Sequence, residues 1–325
     1  MNGSSGLANL HALLAMAGVV APIFLLIALG FALGRARVFS PEQVRGFGRF
    51  VLLVALPALL VSVLARADMS RVLRPDYLLV YTLASLVSFG LGLAWFRTAA
   101  RTDLPTAAVR AMGMSCSNSA FIGLPVATMV FGAAGAGPFA LNTIIENLLM
   151  WPVVLILIEV GQSGEHHPGR VVLSVAKNLV RSPMLVGIVI GAGISLSGVH
   201  LPEFASRTLG VVAGASAPLA LFTIGASLAG VSLHGRRAAI GAIALGKLAL
   251  HPLLVVLALM VVPIGDPVFR SAAVLLAAVP MLSSFPVLAQ RTGDEATCSA
   301  ALLVTTVISF FTLLVTMALL GLNLA

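Results

Sequence analysis

The sequence predicts an all-α polytopic membrane protein. Ten transmembrane helices form two inverted five-helix repeats, with broken helices in spans four and nine crossing at the midplane. Three observations carry this. The chain is 59% hydrophobic and 9% charged, with a mean hydropathy of +1.09, whereas a soluble domain carries about 25% charged residues. Its 325 residues hold apolar runs for roughly ten spans of about 20 residues each. Two interrupted apolar segments also copy one another at a fixed offset, the pattern of transporters built from inverted repeats.

Residues 1–12 are a short lead. The first span, 13–34, lacks the preceding basic residue that a cleavable signal needs, and Arg35 and Arg37 stand on its far side. Spans two and three cover 46–65 and 77–96. Span four, 106–132, is broken at Gly123-Leu124-Pro125, and span five, 137–159, completes a first repeat over 13–160. Residues 161–182 form a cytoplasmic linker with a short amphipathic helix expected around 170–180. His166-His167 lies in this linker without cysteine or carboxylate spacing to match, so it reads as solvated. The second repeat, 183–325, holds spans at 183–198, 207–229, 238–262, 267–289 and 297–322. All ten are apolar round most of their circumference, as helices in hydrocarbon must be.

Of the 19 Lys and Arg residues, Arg66, Arg71, Arg74, Arg207 and Arg270 fall outside when the N-terminus is outside, and Lys247 falls within the membrane. The remaining thirteen are cytoplasmic, a positive-inside bias. Both termini are then non-cytoplasmic, in an inner (plasma) membrane. Five spans per half, an odd number, invert the second half relative to the first.

The offset is 161 residues (286 − 125), from Pro125 to Pro286, and it recurs in Gly132 with Gly293, Pro57 with Pro218, and Gly30 with Gly191. The net charge of +8 lies in loops between apolar runs, with no basic stripe and interleaved aromatics, so no nucleic-acid partner is expected. Cys116 and Cys298 sit in apolar stretches as packing residues without metal-ligand spacing. No cofactor and no metal site is expected.

Span four supplies Ser115, Ser117, Asn118 and Ser119 ahead of its Gly123 and Pro125 break. Span nine answers with Ser283 and Ser284 between Pro280 and Pro286. Small residues in membrane helices often serve close packing, but an amide such as Asn118 must be hydrogen-bonded at that depth. Crossed half-helices would aim N-terminal dipoles at one point, which suits a carboxylate. Glu146 and Asn147 stand in span five, Glu146 about nine residues in, or roughly 13 Å deep at about 1.5 Å per residue. Lys247 lies at similar depth in span eight. Charges there cost about 2.5–3.5 kcal/mol and usually face an interior or cavity. Removal from water disfavours the charged form of either group, so both are candidates for coupling, alone or as a pair.

The run Ala21-Pro22-Ile23-Phe24-Leu25-Leu26-Ile27-Ala28-Leu29-Gly30-Phe31, with Gly34-Arg35 and Leu56-Pro57-Ala58-Leu59-Leu60, resembles the opening of auxin efflux carrier family transporters. These include plant PIN carriers and bacterial malonate or malate permease-like members. The resemblance continues through Asn118-Ser119, Gly123-Leu124-Pro125, Ala217-Pro218-Leu219-Ala220-Leu221, Gly225-Ala226-Ser227-Leu228, Lys247-Leu248, His251-Pro252 and Pro286-Val287-Leu288-Ala289. It implies an elevator-type carrier. Spans 1, 2, 6 and 7 would be the scaffold and homodimer contact, and spans 3–5 and 8–10 the moving transport domain. Asn118 and Pro280 match the Asn and Pro that flank the family's crossover. Ser117 stands where plant carriers have a proline, and Glu146-Asn147 where the family usually has a Gln.

The expectation is a secondary transporter, embedded in membrane lipid, of a small organic anion: a mono- or dicarboxylate such as malonate or malate, or an auxin-like weak acid. A neutral or cationic metabolite is the alternative, because ionised Glu146 would repel an anion. From another class, a channel or a membrane-embedded receptor is the competing reading; a channel would need a ring of like residues or a repeated filter, and the chain has neither. An enzyme would need paired carboxylates, HExxH or a Ser/His/Asp set at one membrane level, and none occurs.

Overall fold

A computed structural model describes residues 18, 21–162, 181–199, 201–231 and 237–322, without the side chains of Ser70 and Arg71. The lead 1–12, the linker helix expected around 170–180 and His166-His167 lie outside the described residues. Those described are helical apart from turns, short extended links and one isolated antiparallel bridge.

Besides the short helix Met69–Val72, twelve helical stretches build the fold among the described residues. They are α1 Ala21–Arg35, α2 Pro41–Leu64, α3 Pro75–Thr98, α4 Leu104–Ser115, α5 at 119–131, α6 at 136–162, α7 Pro183–Ser197, α8 Glu203–Leu228, α9 Arg237–Val261, α10 Pro267–Ala278, α11 Phe285–Ala289 and α12 Glu295–Leu319. Six stretches among the described residues are long and apolar enough to cross a membrane: α2, α3, the α5–α6 stretch with its turn at Gly132, α8, α9 and α12. Helices α1, α7 and α10 are apolar but shorter.

Starts follow local chemistry. Ser40 opens α2 with a capping box, its hydroxyl accepting from the Gln43 amide while the Gln43 side chain accepts from the Ser40 amide. Asp103 caps α4 and Asp266 caps α10, each accepting from first-turn amides, and a proline follows within two residues of each cap.

Proline also explains four wide turns. The π-helical segments Val51–Ala55, Ser119–Gly123, Glu146–Met150 and Gly246–Leu250 each end just before an X-Pro pair: Leu56-Pro57, Leu124-Pro125, Trp151-Pro152 and His251-Pro252. A proline ring clashes with the carbonyl four residues earlier and offers no N–H to it. One extra residue in the preceding turn relieves that clash without ending the helix.

Two close crossings tie α1 to α8 and α2 to α7. Gly30 of α1 lies against the Phe222 backbone of α8, where a Cβ would overlap the carbonyl. Gly191 of α7 lies against α2, where a Cβ would stand 2.9 Å from Leu64 Cβ and 3.0 Å from the Leu60 oxygen. Phe222 and Val61, which also flanks Gly191, carry the same spacing as the two glycines.

The other helices pack on one another. Helix α3 packs on α4 and α9, α4 on α6, and α12 on α9, α10 and α11. Leu124–Phe131 packs back on Ala136–Ile145, so the chain reverses at Gly132, φ +61°. Its counterpart Gly293 has φ +69° and ends the turn after α11. Both lie where a side chain is disfavoured.

Candidate functional site

Helix α4 stops at Ser115, and Cys116 is extended (φ −101°, ψ 128°). Val279 after α10 is also extended (φ −69°, ψ 157°). The two links meet, with Ser117 and Met281 forming the antiparallel bridge and the Asn118 amide donating to the Pro280 carbonyl at 2.8 Å. Backbone groups freed by two helix ends thus satisfy one another inside the protein, as they must where water is absent.

Asn118 fastens three pieces at this point. Its Oδ1 accepts from the Phe121 amide at 3.3 Å, capping α5, and its Nδ2 donates to Ser283 Oγ at 2.8 Å. The side chain is buried. Ser119 Oγ donates to Glu146 Oε1 at 2.7 Å, bringing a partly exposed carboxylate of α6 to the N-terminus of α5. An acidic group there is favoured by the helix dipole. Helix α11 has only five residues, so a single substantial N-terminal dipole, that of α5, points at the crossing rather than the two that the sequence suggests.

The C-terminal ends of α4 and α10 are capped from the flanking helices. Ser88 Oγ of α3 donates to the Met114 carbonyl at 3.1 Å, and Lys247 Nζ of α9 donates to the Ala277 carbonyl at 2.5 Å. A buried ammonium at a helix C-terminus is the favourable pole for a cation. Lys247 Nζ also lies 3.2 Å from His251 Nδ1, and His251 Nε2 lies 3.1 Å from Ser85 Oγ. An ammonium has donors only, so with Lys247 charged Nδ1 accepts, and Nε2 carries the hydrogen toward Ser85. Among the described residues no ion pair joins Glu146 to Lys247; each has its own neutral partners.

The remaining expected residues divide. Ser117 hydrogen-bonds the Tyr81 hydroxyl at 3.0 Å. Ser115 turns back to the Ala111 carbonyl of its own helix, and Asn147 to the Thr143 carbonyl of its own. Ser284 precedes α11 without a side-chain cap bond, and Pro286 occupies that helix's first turn. Gly123 leaves room for Leu276, whose Cδ2 would lie 2.9 Å from a Cβ there, and Pro125 starts the straight part of α5.

Several polar groups were not singled out from the sequence. Tyr77 and Tyr81 stack at 5.9 Å, and the Tyr77 hydroxyl donates to Asn142 Oδ1 at 2.8 Å. Asn142 is fully buried, and among the described residues its Nδ2 makes no hydrogen bond. These are the chain's only two tyrosines, four residues apart on an apolar helix, a signal that was available. Farther out, Arg110 Nε and Nη2 donate to Asp294 Oδ2 and Oδ1 at 2.6 and 2.9 Å, with the guanidinium over the Phe96 ring. Nothing in their spacing along the chain announces that pair.

Residues 15–317 match the family model described as membrane transport protein. A proposed malonate transporter of Rhizobium meliloti (strain 1021) is 29% identical over 296 residues, covering 91% of this chain and 92% of the relative. The uncharacterized transporter YfdV of Escherichia coli (strain K12) is 28% identical, covering 65% of this chain and 68% of its own. Auxin efflux carrier component 8 of Arabidopsis thaliana is 22% identical, covering 80% and 84%.

Proposed function

This chain belongs to the membrane transport protein family, the auxin efflux carrier family of the sequence resemblance, and from that premise we propose that it is a secondary carrier of a small organic anion. A mono- or dicarboxylate of malonate size is the substrate class, in keeping with the name of the Rhizobium relative. The observation that carries the reading is the crossing at Asn118 and Pro280. It gathers amide and hydroxyl donors at the N-terminus of α5, a natural seat for a carboxylate. The Nδ2 of buried Asn142, unpartnered among the described residues, adds a donor one helical turn from Glu146.

In this reading α1, α2, α7 and α8 form a scaffold that dimerises, and α3–α6 with α9–α12 move as one body past it. The 161-residue spacing shared by Gly30, Gly191, Phe222 and Val61 supports two inverted five-helix repeats. The protein sits in the inner membrane with both termini outside. Glu146 couples transport to protons: protonated, it tolerates an anion beside Ser119; ionised, it competes for that place.

Reconstituted protein should show saturable malonate uptake and counterflow. Single-channel currents would instead indicate a pore. One observation favours a second reading: a carboxylate already occupies the α5 N-terminus, which would suit a neutral or cationic metabolite if Glu146 stays ionised. Competition by uncharged and cationic metabolites in the same assay separates the two.

A further inference from the structure

The end of α1, the start of α2 and the end of α8 enclose a pocket of about 970 Å³, lined by none of the residues at the crossing. Val38, Phe39, Val44 and Ala226 give it apolar walls, while Arg35, Arg37 and Arg45 stand around it. Arg45 is paired with Glu42 at 2.5 Å. Among the described residues neither Arg35 nor Arg37 has an acidic partner.

Arg37 is also conformationally costly. It has φ +56°, and it closes α1 with its amide donating to the Gly34 carbonyl at 3.0 Å and the Val38 amide to the Leu33 carbonyl at 3.1 Å. This is the C-terminal motif in which glycine is the usual residue because it fits the left-handed region without strain. An arginine there keeps a long cation at the pocket mouth despite that strain, the kind of outlier found where a site is being served.

We propose that this pocket binds the phosphate headgroup of an anionic phospholipid, with Arg35 and Arg37 on the phosphate and the apolar walls against the upper acyl chain. Guanidinium groups match phosphate geometry in paired hydrogen bonds, and basic pockets between membrane helices hold anionic headgroups. The site shares no residue with the transport crossing, so it stands whatever the substrate proves to be.

The test uses the full chain in nanodiscs of phosphatidylcholine, with and without phosphatidylglycerol, read by thermal unfolding and by lipid titration in native mass spectrometry. Phosphatidylglycerol should raise the unfolding temperature of the wild type. Each arginine is worth about fivefold near an anionic surface, so Arg35→Gln with Arg37→Gln should weaken lipid binding about 30-fold. Arg37→Gly should raise the unfolding temperature in pure phosphatidylcholine while reducing the response to phosphatidylglycerol. Arg207→Gln, an exposed arginine elsewhere on α8, should keep the full response. An unaltered response in the double variant overturns the proposal. So does an equal response to soluble glycerol 3-phosphate, which would make the ligand a free phosphate ester.

Discussion

The Asn118 amide donates to the Pro280 carbonyl at 2.8 Å, joining positions 162 apart in sequence at a point where two helices stop. The Asn118 side chain repeats the connection through Ser283. Asn118→Leu keeps the backbone bond and removes the side-chain one along with the cap on Phe121. Loss of a cap costs about 1 kcal/mol, small enough for normal expression. Transport should be abolished, checked by uptake in proteoliposomes at matched protein density.

Pro125→Ala restores an N–H and removes the ring that widens Ser119–Gly123. Closing that turn by one residue rotates Asn118 and Ser119 by about 100° relative to the helix beyond. Because misplaced binding groups are costly, uptake should fall at least about tenfold with little loss of expression.

Lys247→Met leaves the Ala277 carbonyl and His251 without their donor in a fully buried place. An unsatisfied buried group costs about 1–3 kcal/mol, so the unfolding temperature should drop. Lys247→Arg should not restore it, since the site is closed around a narrower ammonium. Thermal unfolding in detergent measures both.

Arg110→Ala should be the more damaging change. Breaking a buried, bidentate pair strands the Asp294 carboxylate, at about 3–5 kcal/mol. Replacing both partners, Arg110→Met with Asp294→Leu, should recover most of that stability. Equal losses in the single and double variants would show that the pair itself, rather than the stranded charge, accounts for the effect.

These four sites differ in how far the sequence revealed them. Pro125 and Asn118 were legible because proline and amides in hydrocarbon have few permitted roles, and the 161-residue spacing set Pro125 beside Pro286. Lys247 was visible as a charge at depth, but its partners were not. Its donor reaches a carbonyl of α10 thirty residues on, and only the folded chain supplies that proximity. Matching depths make Lys247 and Glu146 candidates alone or as a pair, and depth says nothing about which way each side chain turns. Arg110 reads in the sequence as a topological charge, because a bidentate partner 184 positions away leaves no local pattern. Ser115 and Asn147 belong to the expected site by position, and each also bonds a carbonyl of its own helix, a contact common to small polar residues there.

Glu146→Gln tests coupling. In the wild type, uptake of an anion should rise from pH 8 toward pH 5.5 as the carboxyl beside Ser119 takes a proton. The amide variant should show a flat profile, measured as initial rates over that range.

The most direct measurement is malonate counterflow in proteoliposomes loaded with unlabelled malonate, with wild type and Asn118→Leu compared side by side. Organic-anion carriage through the crossing predicts saturable exchange in the wild type, competed by other small carboxylates and absent in the variant. Equal exchange in both, or exchange driven only by neutral or cationic metabolites, would contradict it.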